Sequence, residues 1–125
     1  MESDKLDKML IMREEFMRAL AEKNKSVLQA WPVDIKLKAS QQAVRDTVLK
    51  GVEEIFESLA SLKNWKPHRQ TEISDFNREE FLEEYVDSLN YFFAALIMLG
   101  ITSDELFEAY KRKDAIIHKR LETNY

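Results

Sequence analysis

Apolar residues recur along the chain at the three- and four-residue spacing of helices, in four stretches. From about Asp4 to Lys23 they are Leu6, Met9, Leu10, Phe16, Met17 and Leu20. A connector follows, and Trp31-Pro32 breaks it, because proline disfavours the helical region for the residue before it. A second stretch runs from about Ala39 to Lys63, with the stripe Val44, Val48, Val52, Ile55, Phe56, Leu59 and Leu62. Gly51 lies inside it and costs ~1 kcal/mol against alanine unless a neighbour needs the space. Residues 63 to 76 read as a polar loop. Asn77-Arg78-Glu79-Glu80 then reads as a capping box opening a third helix, which runs to about Leu99 and stops at Gly100. Thr102-Ser103-Asp104-Glu105 is a second such box, opening a fourth helix that ends near Leu121.

The third helix carries the most information. Spaced at about 100° per residue, Phe81, Leu82, Tyr85, Leu89, Phe92 and Leu96 form a main apolar face. Glu84, Asp87, Tyr91, Ala94, Ala95 and Met98 form a second strip. Beyond Tyr91 the helix is apolar all round, which predicts burial on every side there and, in a chain this small, a second subunit. The strip that begins with Glu84 and Asp87 thus leads into a buried surface.

Composition narrows the class. With 125 residues, 45% hydrophobic and 34% charged, the chain reads as a single folded domain over residues 1–125. Only 2 glycines and 2 prolines favour long helices over a turn-rich sheet, so the expected fold is all-α, an antiparallel four-helix bundle. The absence of cysteine excludes disulfides, thiolate metal sites and cysteine nucleophiles. A formal net charge of −4 without a basic block argues against nucleic acid as a partner. The uncharged run from Ser88 to Ser103 is too short and too polar to span a bilayer, and the start MESDKLDK has no apolar leader, so a cytoplasmic protein with no membrane partner is the expectation.

Two acidic clusters stand out: Glu53, Glu54 and Glu57 on the second helix, and Glu83, Glu84 and Asp87 on the third. Glu54 and Glu57 are three apart and share one side of their helix, and Glu84 and Asp87 repeat that spacing. With 23 acids in the chain, one such pair is ordinarily a solvated face. Four carboxylates converging from two helices would repel one another without a cation, and hard oxygen ligands suit Mg²⁺ or Mn²⁺. Both readings stand at this point. A di-iron bundle is excluded, since it needs Glu-x-x-His pairs and Trp65 and Ala115 precede His68 and His118 by three.

Glu54-x-x-Glu57 and Glu84-x-x-Asp87, with residues 58 to 83 between them, resemble the E-x-x-E…E-x-x-D signature of the all-α nucleoside triphosphate pyrophosphatases, the superfamily of MazG and the dimeric dUTPases. The segment Leu62–Lys66 is similar to the W-K loop of the dimeric dUTPase and phage dCTPase–dUTPase branch. Glu83–Phe93 resembles its acidic helix, and Tyr110–Tyr125 its tail. The likeness covers the chain from about Ala39 onward and, more weakly, Leu10–Leu20. It implies an oligomeric bundle, a homodimer or homotetramer. It also implies Mg²⁺-dependent hydrolysis of a (deoxy)nucleoside triphosphate, best dUTP or dCTP, to the monophosphate and pyrophosphate.

By resemblance, Glu54, Glu57, Glu84 and Asp87 are the metal ligands, and Glu53 and Glu54 the catalytic acids. Lys66, Lys113 and Arg120 meet the triphosphate, Tyr125 closes over the site, and Trp65 and Asn90 also touch substrate. The chain departs from the pattern at Asn90, where the family has histidine. Asp114 and Ile117 stand for two tail asparagines, Asn124 for a glycine, and Arg13 for a base-contacting glutamine. The alternative is a non-catalytic nucleotide-binding or protein-interaction bundle. Among the other residues, Trp31 reads as an anchor for the connector, Trp65 either as a loop anchor or as a stacking surface, and the 5 methionines as core filler.

Overall fold

A computed structural model describes residues 4–68 and 76–123. It contains four helices, α1 (Lys5–Lys23), α2 (Lys38–Leu59), α3 (Arg78–Met98) and α4 (Ser103–Glu122), and no strand among the described residues. The all-α expectation therefore holds. No single helix among them is long and apolar enough to cross a membrane.

Local chemistry explains most of the boundaries. The Asp4 carboxylate accepts from the Asp7 N–H at 2.7 Å and opens α1. Asn77 Oδ1 accepts from the Glu80 N–H at 3.0 Å, and Thr102 Oγ1 from the Glu105 N–H at 3.1 Å, so both expected caps are in place. Gly100 adopts φ +72° after α3. The Ile101 N–H reaches Leu96 O at 2.9 Å and the Gly100 N–H reaches Ile97 O at 3.0 Å, the two bonds of a Schellman stop. α2 ends at Leu59 rather than near Lys63. There the Ala60, Ser61 and Leu62 N–H groups bond three residues back, to Glu57, Ser58 and Leu59, and the helix tightens out of α geometry.

Two compact units emerge, the described residues up to Pro32 with those from Leu96 onward, and those from Val33 to Ala95. In the first unit α1 packs on α4, with Leu10, Ala21, Ile97 and Met98 buried. Trp31 anchors the connector as expected. Its indole Nε1 donates to Glu14 Oε2 at 2.8 Å, and the Arg18 guanidinium lies 5.3 Å from its ring centre. Ser103 Oγ donates to Asp7 Oδ1 at 3.1 Å and ties the start of α4 to α1.

In the second unit α2 and α3 are antiparallel: Gly51 meets Phe92, while Glu54, further along α2, meets Glu84 and Asp87, further back along α3. The buried positions are small, namely Gly51, Ser58, Ser88, Ala94 and Ala95. This corrects half of the expected core stripe of α2, since Val44, Val48 and Ile55 are half-buried on the Gly51 side and the rest are not. Val52, Phe56, Leu59 and the following Leu62 are exposed, Phe56 by 64%, because the side of α2 toward α3 carries Gly51, Glu54 and Ser58. On α3, likewise, Leu82 and Tyr85 of the main apolar face are exposed, whereas Ala94, Ala95 and Met98 of the second strip are buried. Phe76, Phe81 and Tyr85 form an aromatic ladder at the start of α3, with ring centres 5.5 Å and 5.8 Å apart.

Candidate metal centre

α2 places Glu54 on the side that carries Gly51 and Ser58, because positions three and four apart fall on one face. α3 brings Glu84 and Asp87 to the same point. One carboxylate oxygen from each of Glu54, Glu84 and Asp87 lies within 4.8 Å of the other two. Glu57, one turn after Glu54, adds its negative charge to both Glu54 and Glu84. Three of the four acids expected from the paired spacing, Glu54, Glu84 and Asp87, therefore come together, and Glu57 lies outside that group. Glu54 and Glu84 are half-buried, and Glu57 and Asp87 are exposed.

Such a group is held together against its own charge. Glu54 is pushed above the ordinary glutamate value by burial first, then by the negative charges of Glu57 and Asp87, contact with the Glu57 carboxyl and the charge of Glu53. Glu84 is pushed up foremost by its contact with the Glu57 carboxyl, then by burial and by the charges of Glu57, Asp87 and Glu54. Glu84 Oε2 is buried and faces no hydrogen-bond donor. Its polar neighbours are carboxylates, which when ionised only accept. A proton or a cation is what this oxygen lacks, and an all-carboxylate set of hard oxygens fits a divalent cation.

Beside the cluster, a groove of about 580 Å³ runs along α3, lined by Glu79, Leu82, Glu83, Glu84, Val86 and Asp87. A second groove, of about 370 Å³ at the end of α1, holds no such convergence. Its Arg18 is paired with Glu14 at 2.9 Å, and Gln29 Nε2 donates to Asn24 O and Val27 O.

The remaining expected residues are distributed more loosely. Glu53 is exposed and acts on Glu54 through its charge. Trp65 is 68% exposed and does not anchor its loop in a core; the Lys66 ammonium lies 5.7 Å from its ring centre. Asn90 is half-buried on α3, one turn after Asp87. Trp65, Lys66 and Asn90 belong to the same unit as the acids, whereas Lys113 and Arg120 lie exposed on α4 in the other unit. Tyr125 and Asn124 lie outside the described residues. Asp114 pairs with His118, one turn on, at 3.4 Å.

Ser58 and Ser88 escaped the sequence reading. Both have no exposed surface, and their hydroxyls donate back to Ile55 O and Tyr85 O at 2.6 Å each. The signal was present as small residues seven apart, Gly51 and Ser58, one on either side of Glu54. No family model, no curated protein and no solved structure matches the chain.

Proposed function

We propose that this chain is a Mg²⁺-dependent nucleoside triphosphate pyrophosphatase of the MazG and dimeric dUTPase type. Its reaction is hydrolysis of a (deoxy)nucleoside triphosphate, dUTP or dCTP as best substrate, to the monophosphate and pyrophosphate, and its role is cytoplasmic nucleotide-pool control. The observation that carries the reading is the convergence of Glu54, Glu84 and Asp87, with Glu57 beside them, around a buried oxygen that meets no donor.

Glu54, Glu57, Glu84 and Asp87 would hold Mg²⁺, or Mn²⁺ in its place. When bound, such an ion supplies charge neutralisation on phosphate oxygens and a water acidic enough to attack at neutral pH. The chain's own residues do the rest. Glu53, exposed beside Glu54, is an acceptor available to orient that water and take its proton. By the resemblance, Lys66, Lys113 and Arg120 would supply cations for the phosphate chain, and Tyr125 would cover it. The open face of Trp65 offers a stacking surface for a base, and the Asn90 amide can hydrogen-bond a sugar or base.

The proposed partner is a second copy of this chain, as a homodimer or homotetramer. Among the described residues 24 large apolar side chains are more than a third exposed. Four of them, Leu49, Val52, Phe56 and Leu59, share one face of α2 and would give a second copy an apolar stripe to cover.

A second reading, a non-catalytic nucleotide-binding or protein-interaction bundle, draws on α4. There Asp114 and Ile117 replace the amides expected against a triphosphate, and Asp114 is paired with His118. Pyrophosphate release from a panel of nucleoside triphosphates with Mg²⁺ separates the two. Turnover is expected, and Glu84→Gln or Asp87→Asn should lower it by about three orders of magnitude, the cost of losing several kcal/mol of charge stabilisation. Wild-type rates in both variants would overturn the ligand assignment. Nucleotide binding without turnover by the parent protein would favour the second reading.

A further inference from the structure

Three carboxylates brought within 4.8 Å of one another push their helices apart, so an attractive contact elsewhere must hold α2 against α3. We infer that this contact is the ring of Phe92 seated in the notch of Gly51, and that Phe92 and Gly51 are the positioning residues that set the spacing of the carboxylate cluster. A Cβ on Gly51 would lie 2.5 Å from Phe92 Cε1, 2.8 Å from Cδ1 and 3.0 Å from Cζ. Three ring atoms at that range mean that the aromatic edge rests on the bare Cα. Gly51 is buried inside a helix and is not among the positive-φ glycines. Its place there is accounted for by space and not by backbone freedom.

The contact is aimed along the same faces as the acids. Gly51, Glu54 and Ser58 succeed one another at three and four residues on α2, and Glu84, Ser88 and Phe92 at four and four on α3. Glu54 thus stands one turn beyond the ring, and Glu84 two turns before it. Ser58 and Ser88 turn their hydroxyls back onto their own helices, so they add little bulk and no polar group between α2 and α3. Close approach at Phe92 therefore carries through to the carboxylates. A methyl on Gly51 meets the ring and not the tip of a flexible chain, and relief requires the ring to leave or the helices to part.

The inference concerns helix spacing, and its consequence for a metal rests on the reading proposed above. The chain has no cysteine, so a nitroxide pair at Ala60→Cys and Glu83→Cys reports the α2–α3 separation without background labelling. Mn²⁺ affinity, measured on the metal alone by electron paramagnetic resonance, is the second readout. Gly51→Ala is expected to lengthen the distance and to weaken Mn²⁺ binding by about tenfold, the usual size of a lost ligand support. Gly51→Ala with Phe92→Leu should recover both, because the smaller side chain leaves room for the methyl. Phe92→Leu alone, which opens a void and not a clash, is the variant to use if Gly51→Ala does not fold; it should change the distance too. A folded Gly51→Ala or Phe92→Leu protein with parental distance and affinity overturns the inference. A distance that responds, with no Mn²⁺ bound by any variant or by the parent, leaves the positioning contact standing and overturns the metal reading.

Discussion

Two faces of α2 lie about 150° apart around its axis, and the outer one departs from the usual rule of apolar inside and polar outside. The inner face carries Gly51, Glu54 and Ser58, with Val44, Val48 and Ile55 half-buried beside them. The outer face carries Leu49, Val52, Phe56 and Leu59, at heptad-like spacing, with exposures of 40%, 37%, 64% and 46%. Helical periodicity says which residues share a face. It does not say which face turns inward, because that depends on what the neighbouring helix brings. α3 brings an aromatic ring and two carboxylates, so small residues and acids meet it, and Leu49, Val52, Phe56 and Leu59 are left outside. Placing acids inward is a local sacrifice of stability of the kind found at functional sites.

The sharpest way to break this contrast is to charge the outer face. Phe56→Glu with Leu59→Glu removes two apolar side chains from the proposed contact with a second copy. That weakens association by roughly 3 kcal/mol or more. Light scattering should then report a single chain of 14.8 kDa where the parent gives a multiple of it. Both residues point away from the carboxylates, so Mn²⁺ affinity of the separated chains measures how much of the site one chain supplies. A parent that already runs as a single chain would show that the outer face has no second copy on it.

The inner face is tested by pH. Glu54 and Glu84 are both raised above the ordinary glutamate value of 4.5. A carboxyl that titrates higher in the folded chain than in the unfolded one binds its proton more tightly when folded, so protonation stabilises the fold. The resulting penalty is fully present above the raised values and shrinks as pH falls through them toward 4.5. Without metal, then, the melting temperature of the wild type relative to Glu54→Gln or Glu84→Gln should climb as pH drops from 7 toward 5. Saturating Mg²⁺ at pH 7 should supply the same relief and flatten the difference. A wild-type deficit that does not change with pH or with Mg²⁺ would show that the carboxylates do not interact.

The four-helix count, the caps at Asn77 and Thr102 and the stop at Gly100 were legible in the sequence, because each is a local bargain between a side chain and the nearest backbone groups. The meeting of Glu54, Glu84 and Asp87 was legible through the paired spacing, and the place of Glu57 outside that group was not. The meaning of Gly51 was half legible: its cost was visible, and the neighbour that needs the space, Phe92, was not. The inner and outer faces of α2 were half legible: Val44, Val48 and Ile55 of the apolar stripe are half-buried, whereas Val52, Phe56, Leu59 and Leu62 also read as core and are exposed. Lys113 and Arg120 show the same limit, since α4 is amphipathic in sequence and exposed nearly all round in the structure.

The smallest expected effect separates the helix from its site. Asn77→Ala removes the acceptor that holds the Glu80 N–H at 3.0 Å and frays the first turn of α3. The cost should be about 1 kcal/mol, and the melting temperature should fall by about 4 °C in a protein of this size. Glu84 lies nearly two turns inside α3. Its position is held from the far side, where Ser88 is fully buried and Phe92 rests on Gly51. Fraying confined to the first turn leaves those contacts alone, so Mn²⁺ affinity should stay within about twofold of the parent, since a capping loss acts locally. A fall in affinity comparable to that of Glu84→Gln would mean that the cap, and not the packing further along the helix, aims the carboxylates.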